Sequence, residues 1–211
     1  MATAPAGAAG PDVDALISYE THQLSANGVT RIERWQERLV RRGETVWTER
    51  VLPAAAVTLH AHESAAEHAA HKHFDFDSAA RWLQRDPGGA LRLRYVDRDQ
   101  RVVVTVPKAE FGAVGFDGRW EAAAHVVPPA LIERMQVAGP DLREERAQGW
   151  SHRVRWSQRW QLPLRLESQR DDGSVRRIVT VTATARAPDA LTPWSAIDGG
   201  YAQKEYDDFS D

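Results

Sequence analysis

Leu91-Arg-Leu-Arg-Tyr-Val96, Asp97-Arg-Asp-Gln100 and Arg101-Val-Val-Val-Thr-Val106 follow one another without a break, and Pro107 closes the run. In the first segment apolar residues alternate with cations, the period of a strand with one wet face. The four polar residues that follow are turn formers, and the valine-rich return is a second strand. Together they make a hairpin. A chain built on such a unit is committed to antiparallel pairing.

Three later stretches carry the same alternation. They are His152-Arg-Val-Arg-Trp156, Leu164-Arg-Leu-Glu-Ser-Gln169 and residues 175–186, with Leu162-Pro163 and Asp171-Asp-Gly-Ser174 read as the turns between them. Upstream, Leu16 to Leu24 reads as a first strand closed by Asn27-Gly28, a strong hairpin signal. Thr45 to Val51 is another strand, ended by Pro53. Residues 29–42 stay open on periodicity alone. Ile32, Trp35, Leu39 and Val40 fall at helical spacing, whereas Trp35 and Leu39 also share one face of a strand. Strands at these short intervals form a meandering antiparallel sheet.

Two short helices are expected to interrupt it. Asp77-Ser-Ala-Ala-Arg-Trp-Leu-Gln-Arg85 begins at a favourable N-cap and stops before Pro87-Gly-Gly89. Ala130-Leu-Ile-Glu-Arg-Met135 follows Pro128-Pro129, and proline suits a first turn whose N–H has no partner anyway.

Composition narrows the function classes. The 211 residues, with 42% hydrophobic positions, suffice for one β-rich domain spanning 14–190. It is preceded by a low-complexity stretch at 1–13 that is expected to be disordered and followed by an acidic tail at 191–211. A net charge of −3 lacks the basic stripe that nucleic acid requires. Zero cysteines excludes disulfides, thiolate metal sites and cysteine nucleophiles. No apolar run approaches the ~20 residues of a transmembrane helix. The small-residue opening Met1-Ala-Thr-Ala-Pro-Ala-Gly-Ala-Ala-Gly-Pro11 resembles a stretch just after a signal-peptidase site, which gives a periplasmic expectation with the signal peptide removed.

Residues 19–50, from Tyr19-Glu-Thr-His-Gln-Leu24 through Asn27-Gly-Val-Thr-Arg-Ile-Glu-Arg-Trp35 to Arg50, resemble the opening strands of the MucB/RseB-type periplasmic regulators. Residues 155–177, with Leu162-Pro-Leu164 and Asp172-Gly173, are similar to a later strand–turn–strand pattern of the same proteins. Both belong to the LolA-like lipoprotein-carrier superfamily. The resemblance implies a strongly curved antiparallel half-barrel plugged by helices, and it places residues 29–42 in a strand. It also implies a non-enzymatic protein that binds an apolar or acyl ligand, a lipoprotein or a partner's segment between sheet and helices.

Eight tryptophans are a heavy load for this length. Trp35, Trp47, Trp120, Trp156 and Trp160 lie in or beside expected strands, either filling a large core or walling an apolar cavity. Residues 57–76 form a histidine-rich insertion with His60, His62, His68, His71 and His73. Imidazoles beside Glu63 and Glu67 are a ligand set for zinc or copper, and His68 and His71 would share a face if residues 63–72 were helical. The plain alternative is a solvated histidine-rich loop. His22, His125 and His152 stand alone and read as ordinary strand or surface residues. A periplasmic metal-binding protein is therefore the rival reading. A metallohydrolase, suggested by His60-Ala-His62 at a strand end, comes third, because hairpins replace the alternating strands and helices that such barrels need. The sequence holds neither a Gly-rich phosphate loop nor a Gly-x-Ser-x-Gly elbow.

Overall fold

The structure, a computed structural model, describes residues 10–52, 74–187, 190–197 and 199–209. Twelve strands form one open, curled sheet in the order β12-β6-β5-β4-β3-β2-β1-β11-β10-β9-β8-β7. They are β1 Val13–Leu24, β2 Thr30–Arg42, β3 Thr45–Val51, β4 Ala80–Arg85, β5 Leu91–Asp97, β6 Val102–Val106, β7 Gln136–Val137, β8 Leu142–Ala147, β9 Trp150–Ser157, β10 Leu162–Arg170, β11 Val175–Ala185 and β12 Ala202–Glu205. Every pairing is antiparallel except β12 with β6. Both diagnostic hairpins lie in this sheet, and residues 29–42 supply a strand. The centre of the sheet joins its first strand to its eleventh, because β1 pairs with β2 on one side and with β11 on the other.

Two helices, α1 Trp120–His125 and α2 Pro129–Arg134, cover the inner face. That face carries Val13, Ala15 and Ile17 of β1, packed with Leu39, Leu83, Leu93, Phe111, Phe116 and Trp120 in the main core. α2 sets Ile132 against Val154 and Trp156 farther along the same face. The wing from β2 to β6 is covered on its outer face too. There Val40, Trp47, Trp82 and Val96 pack beneath Trp194 and Ile197 of the C-terminal segment.

This double covering corrects one expectation. Residues 77–85 are not a helix: Ala80–Arg85 is a strand between β3 and β5. Leu83 enters the inner core while Trp82 enters the outer cluster, so successive residues are apolar and the strand alternation disappears. The expected N-cap at Asp77 is part of a turn in which Asp75 accepts the N–H groups of Asp77 and Ser78. Leu162 and Pro163 also differ from expectation, since they begin β10 and pair with Ser157 and Trp156 beside a bulge. α1 is a helix the sequence analysis does not place. The second expected helix is present, one residue earlier at each end than anticipated. Residues 199–209 bring β12 alongside β6, and Tyr206 and Phe209 pack on the main core.

The inner face contains a fully buried cation. Arg41 lies opposite Val13 in the β1–β2 register and is 0% exposed. Its Nε donates to Pro11 O at 3.0 Å, Nη1 to Ala124 O at 2.6 Å and Nη2 to Trp160 O at 2.6 Å. Three separate pieces of chain are thereby tied by one side chain. The guanidinium sits so close to the backbone that a Cβ at Gly10 would fall 2.7 Å from its Cζ. Burial pulls the Arg41 pKa down to about 10, and the side chain remains charged at neutral pH.

His125 adjoins this cation. Far from being an ordinary strand or surface residue, it is buried at the end of α1. Its Nδ1 lies between Gln161 O at 2.8 Å, which can only accept, and Arg41 Nη1 at 3.0 Å, which can only donate. Burial, with Arg41 nearby, pushes the His125 pKa below its ordinary value of 6.5. The unfolded chain then binds the proton more readily than the folded one. Stability from this group is complete above about pH 6.5 and declines as pH falls through that value. In urea unfolding between about pH 7.5 and 5.5, wild type is expected to lose more stability than His125→Gln. Equal losses would remove His125 as the cause.

Candidate functional site

β4 pairs with β3 only as far as Thr48, so β1, β2 and β11 run on past its end. A cavity of about 890 Å³ lies in this region. By register, Val51, Gln36, Ser18, Thr180 and Arg165 form one row across β3, β2, β1, β11 and β10. Arg34, Glu20 and Ile178 form the next row of the same outer face. Tyr19, Trp35 and Arg50 contribute from the opposite face, and Leu52, Asp75, Asp77 and Ser78 complete the wall. Neither α1 nor α2 lines it, although the resemblance implies a site between sheet and helices.

Tyr19 and Trp35 face each other across β1 and β2, with stacked rings 4.9 Å apart at 11°. Such a pair is a rigid apolar plate held by strand register. Tyr19 Oη donates to Glu37 Oε2 at 3.0 Å. Burial, reinforced by the Glu37 charge, raises the Tyr19 pKa, so its hydroxyl stays protonated at neutral pH.

The charges around the plate are largely paired. Arg34 Nε donates to Glu20 Oε2 at 2.7 Å, and His22 contacts the other oxygen of Glu20. These hydrogen bonds, Arg34 first, hold the Glu20 pKa down to about 2. Arg165 pairs with Glu167 at 2.6 Å. Arg50 differs, because among the described residues no carboxylate reaches it.

The five expected tryptophans are not brought together. Trp35 lines the cavity. Trp47 is fully buried in the outer cluster, and its Nε1 donates to Glu49 Oε2 at 2.9 Å. Trp120 is buried in the main core beneath Arg85, 4.6 Å from the ring centroid. Trp156 is buried against α2, and Trp160 packs at the core margin under Arg159. His60, His62, His68, His71 and His73 lie outside the described residues. Among the described residues no group of three His, Asp or Glu side chains is arranged to hold a metal ion. Sequence reasoning misses Tyr19, Glu20, Ser18, Thr180 and Arg165. Only the register of three strands, β1, β11 and β10, makes them neighbours.

No family model matches the sequence, and no curated protein matches it. Solved structures do show a likeness. A LolA superfamily protein from Nitrosomonas europaea is 8% identical at a TM-score of 0.33, with 84% of this chain and 87% of that one covered. The MucA/MucB complex of Pseudomonas aeruginosa gives 12% identity and a TM-score of 0.30, covering 84% of this chain and 54% of the other. An uncharacterized conserved protein from Thermus thermophilus gives 9% and 0.39, covering 90% of each chain. A LolA superfamily protein and MucB, of the kind the sequence resembles, are among these structures, all at TM-scores below 0.5.

Proposed function

We propose that this protein is a non-enzymatic carrier that holds an apolar or acyl ligand, or an apolar segment of a partner protein, in the cavity where β3 ends and β4 begins, against the middle of β1, β2 and β11. A periplasmic location belongs to the same proposal. The stacked Tyr19–Trp35 plate lining a cavity of about 890 Å³ carries it. That volume falls within the ~300–1,000 Å³ of ordinary ligand sites, and the mixture of an apolar plate with a few placed polar groups is their usual makeup. Val51, Leu52 and Ile178 extend the apolar surface, and Arg50 offers a cation to an anionic end group. Among the described residues no helix is long and apolar enough to cross a membrane.

A fatty-acid probe is expected to bind saturably and to quench tryptophan emission. Trp35→Ala should remove most of the quench and weaken binding at least tenfold, roughly 1.4 kcal/mol, while the thermal midpoint moves little. Arg50→Gln should weaken the fatty acid but leave a neutral apolar probe unchanged. Failure of several chemically distinct probes to bind saturably would retire the proposal.

A further inference from the structure

Among the described residues, the region that opens the cavity also leaves a length of sheet edge without a neighbour. β3 pairs with β2 from Arg42 back to Gln36 and no farther. Among the described residues, Thr30 to Trp35 of β2 pair only with β1, so their other side presents unpaired N–H and C=O groups. Leu24, Val29 and Ile32 are 50%, 61% and 46% exposed there, an apolar group concentrated on one hairpin. Open edges are usually blunted by proline, bulges or charge, and this stretch carries only the charges of Arg31-Ile-Glu-Arg34.

We propose that this edge pairs with the same edge of a second copy, antiparallel and centred on Ile32, to make one continuous sheet across a homodimer. Charge selects the centre. A two-fold axis perpendicular to a sheet must pass through a residue facing its own copy, because residues directly opposite share a face. Centring on Arg31 sets that arginine against itself, and centring on Glu33 or Arg34 repeats the clash with Glu33 or Arg34. Centring on Ile32 places Arg31 opposite Glu33 twice, Ile32 opposite Ile32 and Val29 opposite Trp35. The charges that repel a slipped partner thus attract a registered one. The Arg31–Glu33 contact now made within the strand, at 2.8 Å, re-forms between copies. Since Trp35 lines the cavity, Val29 of the second copy comes to lie at its rim. The dimer stands or falls independently of what the cavity binds.

The absence of cysteine makes the test clean. Opposite residues in an antiparallel pair have Cα atoms about 4.5–5.5 Å apart, inside the disulfide range. Ile32→Cys is expected to oxidise to a covalent dimer of twice 23.6 kDa, whereas Leu191→Cys, on the 85% exposed Leu191, stays monomeric at equal concentration. In sedimentation equilibrium, wild type should dimerise. Glu33→Arg should raise the dissociation constant about tenfold or more, and Arg31→Glu/Glu33→Arg should restore it. Circular dichroism melts establish that each variant folds. A wild type that remains monomeric into the high-micromolar range overturns the proposal, as does cross-linking of Ile32→Cys no faster than Leu191→Cys. A double swap that fails to restore association while still folding also overturns it.

Discussion

Arg41→Met is expected to destabilise the protein by about 3–5 kcal/mol, the loss typical of breaking a buried charged constellation. Methionine fills much of the arginine's path but donates nothing. Pro11 O, Ala124 O and Trp160 O would lose charge-assisted bonds of 3.0, 2.6 and 2.6 Å and stay buried. Each unsatisfied acceptor costs about 1–3 kcal/mol, offset in part because the cation no longer has to be desolvated. At about 2–4 °C per kcal/mol for a chain of this size, the thermal midpoint should fall by roughly 10 °C. Arg41→Lys should recover little, since one ammonium cannot span three carbonyls held in a guanidinium fork. Arg38 is the control. It is half-exposed on the outer face and paired with Asp14 at 2.9 Å, so Arg38→Met should cost less than about 1 kcal/mol. A loss at Arg41 no larger than that at Arg38 would show that the three carbonyls find other partners.

Trp47→Ala is the second large effect, about 3–5 kcal/mol from lost burial and the void left behind. Trp47 has no exposed surface and packs among Val40, Trp82 and Ile197, where the C-terminal segment covers the outer face. Its removal also frees Glu49, which accepts from Nε1 and pairs with Arg98 at 3.3 Å. Chemical denaturation of Trp47→Ala beside Trp35→Ala separates the two roles an indole can have in this sheet. Trp47→Ala should lose stability and, at temperatures where it stays folded, bind the fatty-acid probe as wild type does. Trp35→Ala should show the converse. Ligand loss in Trp47→Ala without a stability change would place that indole in a binding wall.

That pair of tryptophans shows where the sequence is readable and where it is not. Residues 91–95 and 164–186 alternate because polar side chains occupy the face opposite the core, and the antiparallel sheet follows directly, although Val103 and Val104 of β6 are buried on opposite faces. Residues 80–85 are buried on both sides, so their pattern loses its period and resembles a helix. α1 spans only six residues, too short for any periodicity to declare itself, and the Ala122-Ala-Ala124 run is its one signal. Core and cavity indoles are chemically identical, and their difference lies in which row of the sheet each occupies. The cavity is illegible for the same reason. Ser18 and Arg165 meet only through Thr180, a relation set by pairing among β1, β11 and β10 that no local window contains.

The pairing of β1 with β11 sets the order in which this protein can be made. Asp14 and Arg186 meet in an ion pair at a sequence separation of 172 residues, and the ladder between their strands begins beside them. Until residues 175–185 are available, one side of β1 has no neighbour, and the first six strands can only form a meander with an open flank. Contacts so distant along the chain slow the search for the native state, because much of the loop-closure entropy is lost before they form. Unpaired strand edges are also the surfaces through which partly folded chains associate. A chain truncated before β11 should therefore aggregate rather than fold to a smaller sheet.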